Sequence, residues 1–165
     1  MTSIEELIQE LDRETGTTRR VLERVDGDQL EWRPNPRSLS LGQLAMHVAT
    51  LPMAIAQLST LDRFDVGAPI PRPGATSVAE LLRVLGESVA GARATLAGMT
   101  DAQLATPWRM MIGEQEVGAM PRGILLRSVL FNHWYHHRGQ LSVYLRETGS
   151  LVPSIYGPSA DERGA

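Results

Sequence analysis

The stretch FNHWYHHRGQLSVYLR, residues 131–146, holds three of the chain's four histidines, and its spacing governs how the rest is read. In a helix of 3.6 residues per turn, His133 and His137 stand about 40° apart on one face. His136 diverges from His133 by about 60° in the opposite sense. Two imidazoles at i and i+4 can converge on one divalent ion, which is why the spacing recurs in zinc-binding helices. The same face carries Leu126, Leu130, Leu141 and Tyr144, so it points toward a core. The alternative reading is a pair of hydrogen-bonded core histidines, with His136 a flank or interface residue.

Pro121 precedes this helix and Gly149 stops it, which predicts a helix over about residues 122–148. Working back toward the N-terminus, Ser77 and Glu80 have capping-box spacing and open a helix whose stripe is Val78, Leu81, Leu82, Leu85, Val89 and Leu96. Within it, Gly86 and Gly91 weaken helix propensity and open room for a neighbouring helix. A helix over about residues 39–61 carries Leu41, Leu44, Leu51, Ile55 and Leu58, with Pro52 predicted to kink it or end its first half. The first helix, about residues 3–25, starts on a Ser3–Glu6 capping-box spacing. Residues 62–76, rich in proline, and residues 100–120, irregular apart from one short helix at 101–105, are connections long enough to cross the molecule. No alternating strand pattern competes. The expectation is an all-α, four-helix bundle with long inter-helix crossover connections, one domain over residues 1–165, and a tail at 150–165 that orders only by docking.

His47 lies at the edge of the second helix's apolar stripe, one turn from Leu44 and from Leu51. A bundle that buries both stripes can bring it opposite His133 and His137. Three neutral imidazoles leave a divalent ion its charge and an open position, the ligand logic of a catalytic zinc-type site. Ligation needs neutral rings, whose ordinary pKa is about 6.5, so metal affinity is expected to fall below that pH.

Composition narrows the function classes. The chain has no cysteine, which excludes disulfides, thiolate metal sites and cysteine nucleophiles. Sixteen basic residues against nineteen acidic give a net charge of −3, and no basic stripe points to nucleic acid. The N-terminus lacks the basic start and apolar stretch of a secretory signal, and no apolar run approaches the ~20 residues of a membrane span. A cytoplasmic protein with no membrane partner is expected.

The run HWYHHRGQLSVYLR, residues 133–146, resembles the signature of the DinB/YfiT-like superfamily of metalloenzymes. The tail VPSIYGPSADE, residues 152–162, resembles the ending of one large DinB-like branch. WRP at 32–34, followed by SLGQLAMH at 40–47, resembles the start of its second helix. The resemblance implies a four-helix bundle, commonly dimeric, whose ligands fall on His47, His133 and His137. It implies one divalent ion per chain, nickel or zinc first, with iron, manganese or copper as other choices. It also implies a metal-dependent transferase or hydrolase that activates water or a low-molecular-weight thiol against a small electrophilic substrate. Two rival readings stand beside this one: a non-catalytic metal-dependent binding or stress-response protein, and a helical dimerisation module with structural histidines.

Four further residues are candidates for chemistry. Gln140 lies about 20° from His133 and can contact a bound ligand or orient a histidine, or else pack against backbone. Tyr144 can lend its hydroxyl or serve the core. Asp161 and Glu162 can reach a histidine or act as a base if the tail folds back over the bundle. Arg138 is expected at a surface or subunit contact, with Gly139 and a wide apolar arc including Val129 and Val143 supporting a homodimer. Trp108, Met110, Met111 and Met120 are expected to line a substrate pocket or cover the bundle end.

Overall fold

The computed structural model describes residues 3–162, so the last residues of the tail, 163–165, lie outside the described part. Four long helical stretches dominate. Helix α1 spans Ile4–Leu22, α2 Leu41–Leu58 and α3 Val78–Ala97, with a short α4 at Asp101–Leu104. The fourth stretch is composite: α5 at Arg122–Leu125, a π-helical segment at Leu126–Asn132, and α6 at His133–Glu147. α1 and α2 each pack against both α3 and α6. Leu7, Leu11, Leu22, Leu41, Leu44, Leu81, Leu85 and Leu141 are fully enclosed between them.

The helix starts follow local chemistry. Ser3 with Glu6 and Ser40 with Gln43 form complete capping boxes. At α3 the reciprocal half differs: Ser77 accepts from the Glu80 N–H, but the Glu80 carboxylate takes the Thr76 N–H at 2.7 Å. Gly91 lets α3 approach α2, since a Cβ there would sit 2.8 Å from the Met53 sulfur. Beside Gly86 there is open space.

Pro52 does not end α2, which runs unbroken through it. Lacking an N–H, the proline leaves the Val48 carbonyl without its i+4 donor. The buried indole Nε1–H of Trp134, on α6, donates to that carbonyl at 2.9 Å. The displaced Met53 N–H donates to the Ser88 hydroxyl of α3 at 3.0 Å, and Ser88 donates to the Thr50 carbonyl at 3.1 Å. The defect is thus repaired by its two neighbouring helices. It also locks α2 to α6 beside His47 and His133.

Both long connections contain strands that the sequence reading missed, so the chain is mostly helical with a small sheet. β1 (Arg63–Asp65) pairs in parallel with β2 (Pro107–Ile112), which pairs antiparallel with β3 (Gln115–Pro121). Ile112 and Gln115 close the hairpin over Gly113 and Glu114. Gly113 has φ +58 and is the only positive φ in that turn, the arrangement of a Gly-X two-residue hairpin loop. A register shift between Met110 and Met111 bends β2. Trp108 is buried, donating to the Leu58 carbonyl at 3.2 Å.

Arg122 ties this sheet to the helices. Its guanidinium donates to the Ser59, Leu61 and Pro107 carbonyls, the Thr106 hydroxyl and the Asp62 carboxylate. It thereby satisfies orphan carbonyls at the C-terminal end of α2. By length and apolarity α2 is comparable to a membrane span, but 56% of it is buried inside the fold, the pattern of a core helix.

Candidate metal centre

His47 comes from the middle of α2, while His133 and His137 open α6 one turn apart. The buried stripe of α6 is Trp134, Arg138, Leu141 and Leu145, so the two histidines stand at its rim and are half-buried, as is His47. The π segment ends on the residue before His133. Its wider turns bring Leu126, Leu130 and Phe131 into the core ahead of the regular helix that carries the pair.

The three rings converge. One nitrogen from each of His47, His133 and His137 lies within 4.8 Å of the others. Ring centroids are 4.4 Å apart for His133 and His137, 4.5 Å for His47 and His137, and 5.3 Å for His47 and His133. The Nε2 atoms of His133 and His137 face one another at 2.6 Å.

Hydrogen bonds orient two of the rings. His137 Nδ1 lies 2.7 Å from Gln140 Oε1, which accepts the ring proton in the Nδ1–H tautomer. His133 hydrogen-bonds the Val129 backbone, a contact that favours its protonated form. In the tautomers with those protons in place, both Nε2 atoms are acceptors that can serve a shared cation. The donor set is three imidazoles, which suits zinc, nickel, copper or iron. The residues therefore fit a divalent ion.

Electrostatics keep the rings neutral. Burial first, then the fields of His137 and His133, lower His47 to about 4. Burial lowers His137 to about 4 against the opposing hydrogen bond with Gln140, and burial also lowers His133. Proton competition therefore sets in well below the ordinary histidine range from which the sequence reading started.

The other candidate residues are placed as follows. Gln140 is exposed and orients His137 through Nδ1, in the manner of an outer-shell partner that fixes a ligand's tautomer. His136 is exposed, its ring 5.0 Å from that of His137, and is not among the converging three. Tyr144 stacks edge-on against Trp32 and donates to the Leu39 carbonyl at 3.3 Å. Asp161 accepts from Arg146 at 2.8 Å and from the Val152 N–H at 2.9 Å, while Glu162 accepts from the Ser154 N–H at 3.0 Å. Both carboxylates staple the tail to itself, and Asp161 also ties it to the end of α6.

Arg138 corrects the sequence reading. Only 1% exposed, it lies inside the protomer rather than at a surface. It donates to Glu14 Oε2 at 2.6 Å, the Thr18 hydroxyl at 3.1 Å and the Tyr156 hydroxyl at 2.5 Å. Its guanidinium lies over the rings of Tyr135 and Tyr156. Tyr156 in turn donates to Glu14, docking the tail on α1. Beside this cluster Arg127 grips Glu10 with two bonds of 2.7 Å, and Tyr135 donates to the same carboxylate. The paired Arg127 holds the Glu10 carboxyl below its usual range.

A cleft of about 680 Å³ opens between the ends of α2 and α3 and the start of β2, lined by Ser59, Met99, Gln103 and Arg122. It contains none of the histidines, and its buried cation Arg122 is fully spent on the partners described above. Trp108, Met110, Met111 and Met120 do not line it.

Comparison with known proteins agrees with this architecture. The model of the DinB family matches residues 1–164. The fold is similar to that of a DinB-like protein from Bacillus cereus, with TM-score 0.73 and 28% identity over 93% of this chain and 98% of that one. It is also similar to the DinB-like protein YjoA from Bacillus subtilis, with TM-score 0.69, 19% identity and the same coverage. The uncharacterized protein YrdA of Bacillus subtilis is 49% identical over 51 residues, a match spanning 31% of this chain and 28% of that protein.

Proposed function

Because this chain belongs to the DinB family and gathers His47, His133 and His137 at one point, we propose that it is a four-helix-bundle metalloprotein holding one divalent ion, nickel or zinc, on those residues. The proposed activity is a metal-dependent transferase of the thiol class, working in the cytoplasm on a small electrophile. The observation that carries the reading is the convergence of one nitrogen from each of the three imidazoles within 4.8 Å. A bound divalent ion lowers the pKa of a coordinated water or thiol toward neutrality. The chain's own residues supply the neutral rings, the tautomer set by Gln140, and the α2–α6 lock at Val48 and Trp134 that holds the ligands together.

The test is elemental analysis of the purified protein. The expected result is about one ion per chain, lost in His133→Ala and in His137→Ala and retained in His136→Ala. Full stoichiometry in both of the first two variants would remove the pair from the site. Thiol transfer to a model electrophile, with metal and with chelator, then separates turnover from simple binding. The same proposal carries a homodimer. Gly139 has open space beside it and Val143 is 59% exposed on α6, a face that light scattering can show to be covered by a second copy.

A further inference from the structure

We propose that the π-helical segment Leu126–Asn132 is a positioning device for the metal centre: it frees the main-chain carbonyl of Val129, and that carbonyl holds the His133 ring by Nδ1. The inference rests on the metal reading above and adds how the first ligand of α6 is aimed.

The two ligands of α6 stand one turn apart in different helical surroundings. His137 lies within regular α pairing, where the carbonyl one turn back, that of His133, is spent on the His137 N–H. Its Nδ1 turns instead to a side chain three residues on, Gln140 Oε1, at 2.7 Å. His133 has no glutamine in the equivalent place, which belongs to the exposed His136.

What His133 has is the end of the π segment. A π turn runs from the carbonyl of residue i to the N–H of i+5 and an α turn to that of i+4, so the change from one to the other passes over a carbonyl. In an unbroken α-helix the His133 N–H would serve the Val129 carbonyl; here it donates to the Leu130 carbonyl. Helical side chains lean back over the turn that precedes them, which carries the His133 ring toward Val129. The ring's Nε2 faces His137 Nε2 at 2.6 Å, leaving Nδ1 for the main chain. The ring does hydrogen-bond the Val129 backbone. A carbonyl only accepts, so this bond places the proton on Nδ1 and keeps Nε2 as the acceptor for a cation. Val129 thereby does for His133 with its main chain what Gln140 does for His137 with its side chain. No exchange of the Val129 side chain removes that carbonyl; only a change of helical pairing or of the main chain does.

The experiment keeps every side chain of the full-length protein and alters main-chain atoms. Leu130→leucic acid turns the Val129 amide into an ester, whose carbonyl is the weaker acceptor. Val129→2-hydroxyisovaleric acid does the same to the Ser128 carbonyl and serves as control, since each variant also lacks one helical N–H. Zinc affinity, read by competition against a chromogenic chelator, should fall about tenfold in the Leu130 ester and hold in the control. Long-range proton–nitrogen NMR of the metal-free chain at neutral pH should find the His133 proton on Nδ1 in the wild type and shifted toward Nε2 in the Leu130 ester. The wild-type spectrum needs no variant, so it decides even where an ester weakens the fold. A wild-type His133 protonated on Nε2, an undiminished zinc affinity in the Leu130 ester, or an equal loss in both esters overturns the inference while the metal reading stands. A wild-type chain that takes up no zinc overturns the metal reading, and the spectrum still decides whether Val129 holds the ring.

Discussion

His137 and Arg138 are adjacent in the chain and serve opposite kinds of polar site. Arg138 is enclosed, and the carboxylate, hydroxyls, carbonyl and aromatic faces around it meet its guanidinium from several sides. His137 stands at a rim, with Nδ1 beside Gln140 Oε1 and Nε2 facing the Nε2 of His133. Burial of a charge is tolerated where partners close around it, as at Arg138. At the histidines one nitrogen of each ring is left facing the other two. The contrast teaches that one residue step along α6 separates a network complete in itself from a group able to hold a cation.

The comparison breaks hardest at Arg138. Arg138→Met keeps the bulk but leaves Glu14 without its cation, and removing one partner of a buried pair costs about 3–5 kcal/mol. For a chain of this size the melting temperature should fall by roughly 10 °C. Metal stoichiometry should be unchanged in the folded variant. An unaltered melting curve would show that the Arg138 network adds little to stability, and loss of metal from a folded protein would show that the two sites are not separate.

A pH series on apo-protein reads the histidine side. His47 and His137 titrate near 4 in the folded chain and near ~6.5 when unfolded. Between those values the unfolded chain binds protons that the folded chain refuses, so stability is complete above about pH 6.5 and lost as pH falls toward 4. The extra stability conferred by metal should persist to about pH 5 and collapse nearer 4, because only there do protons compete for the folded rings. Differential scanning fluorimetry with metal and with chelator measures both. A gap that closes already at pH 6 would mean that the rings are as basic as free histidine.

The smallest effect on stability belongs to Gln140→Leu. The residue is exposed, so unfolding should change by about 0.5 kcal/mol or less. Metal affinity should nevertheless drop about 10–100-fold, since the orientation of His137 is lost. Competition against a chromogenic chelator gives the affinity directly, and an unchanged value would reduce Gln140 to a bystander.

The long helices and the His133–His137 pair are legible in the sequence because both are short-range patterns, whereas the approach of His47 from another helix follows only from the expected bundle and the family resemblance. Capping residues, a 3.6-residue stripe and an i, i+4 pair need no knowledge of distant contacts. A single helical wheel turns Arg138 away from the histidine face, toward a surface or subunit contact. Its burial depends on α1 and on Tyr156, eighteen residues further along the chain, which no single-helix pattern contains. The hairpin escaped for a local reason. The register shift between Met110 and Met111 puts the buried Trp108 and Met111 three residues apart, destroying the period-two signal. The available clue was Gly113 followed by Glu114 between two apolar stretches. The π segment is equally silent in sequence, because Leu126, Leu130 and Phe131 fit a regular helical stripe just as well.

Pro52 and Trp134 also constrain how this sequence can change. The carbonyl of Val48 is vacant only because residue 52 is a proline, and the indole of Trp134 takes up that vacancy from another helix. Replace the proline alone and an in-helix N–H returns to compete for the oxygen. Replace the tryptophan alone and a buried acceptor is stranded. Loss of the tryptophan is expected to cost less where residue 52 carries an N–H, so the two positions, separated by 82 residues in sequence, are expected to couple. Change at residue 134 is then easiest after change at residue 52, beside His47 and His133.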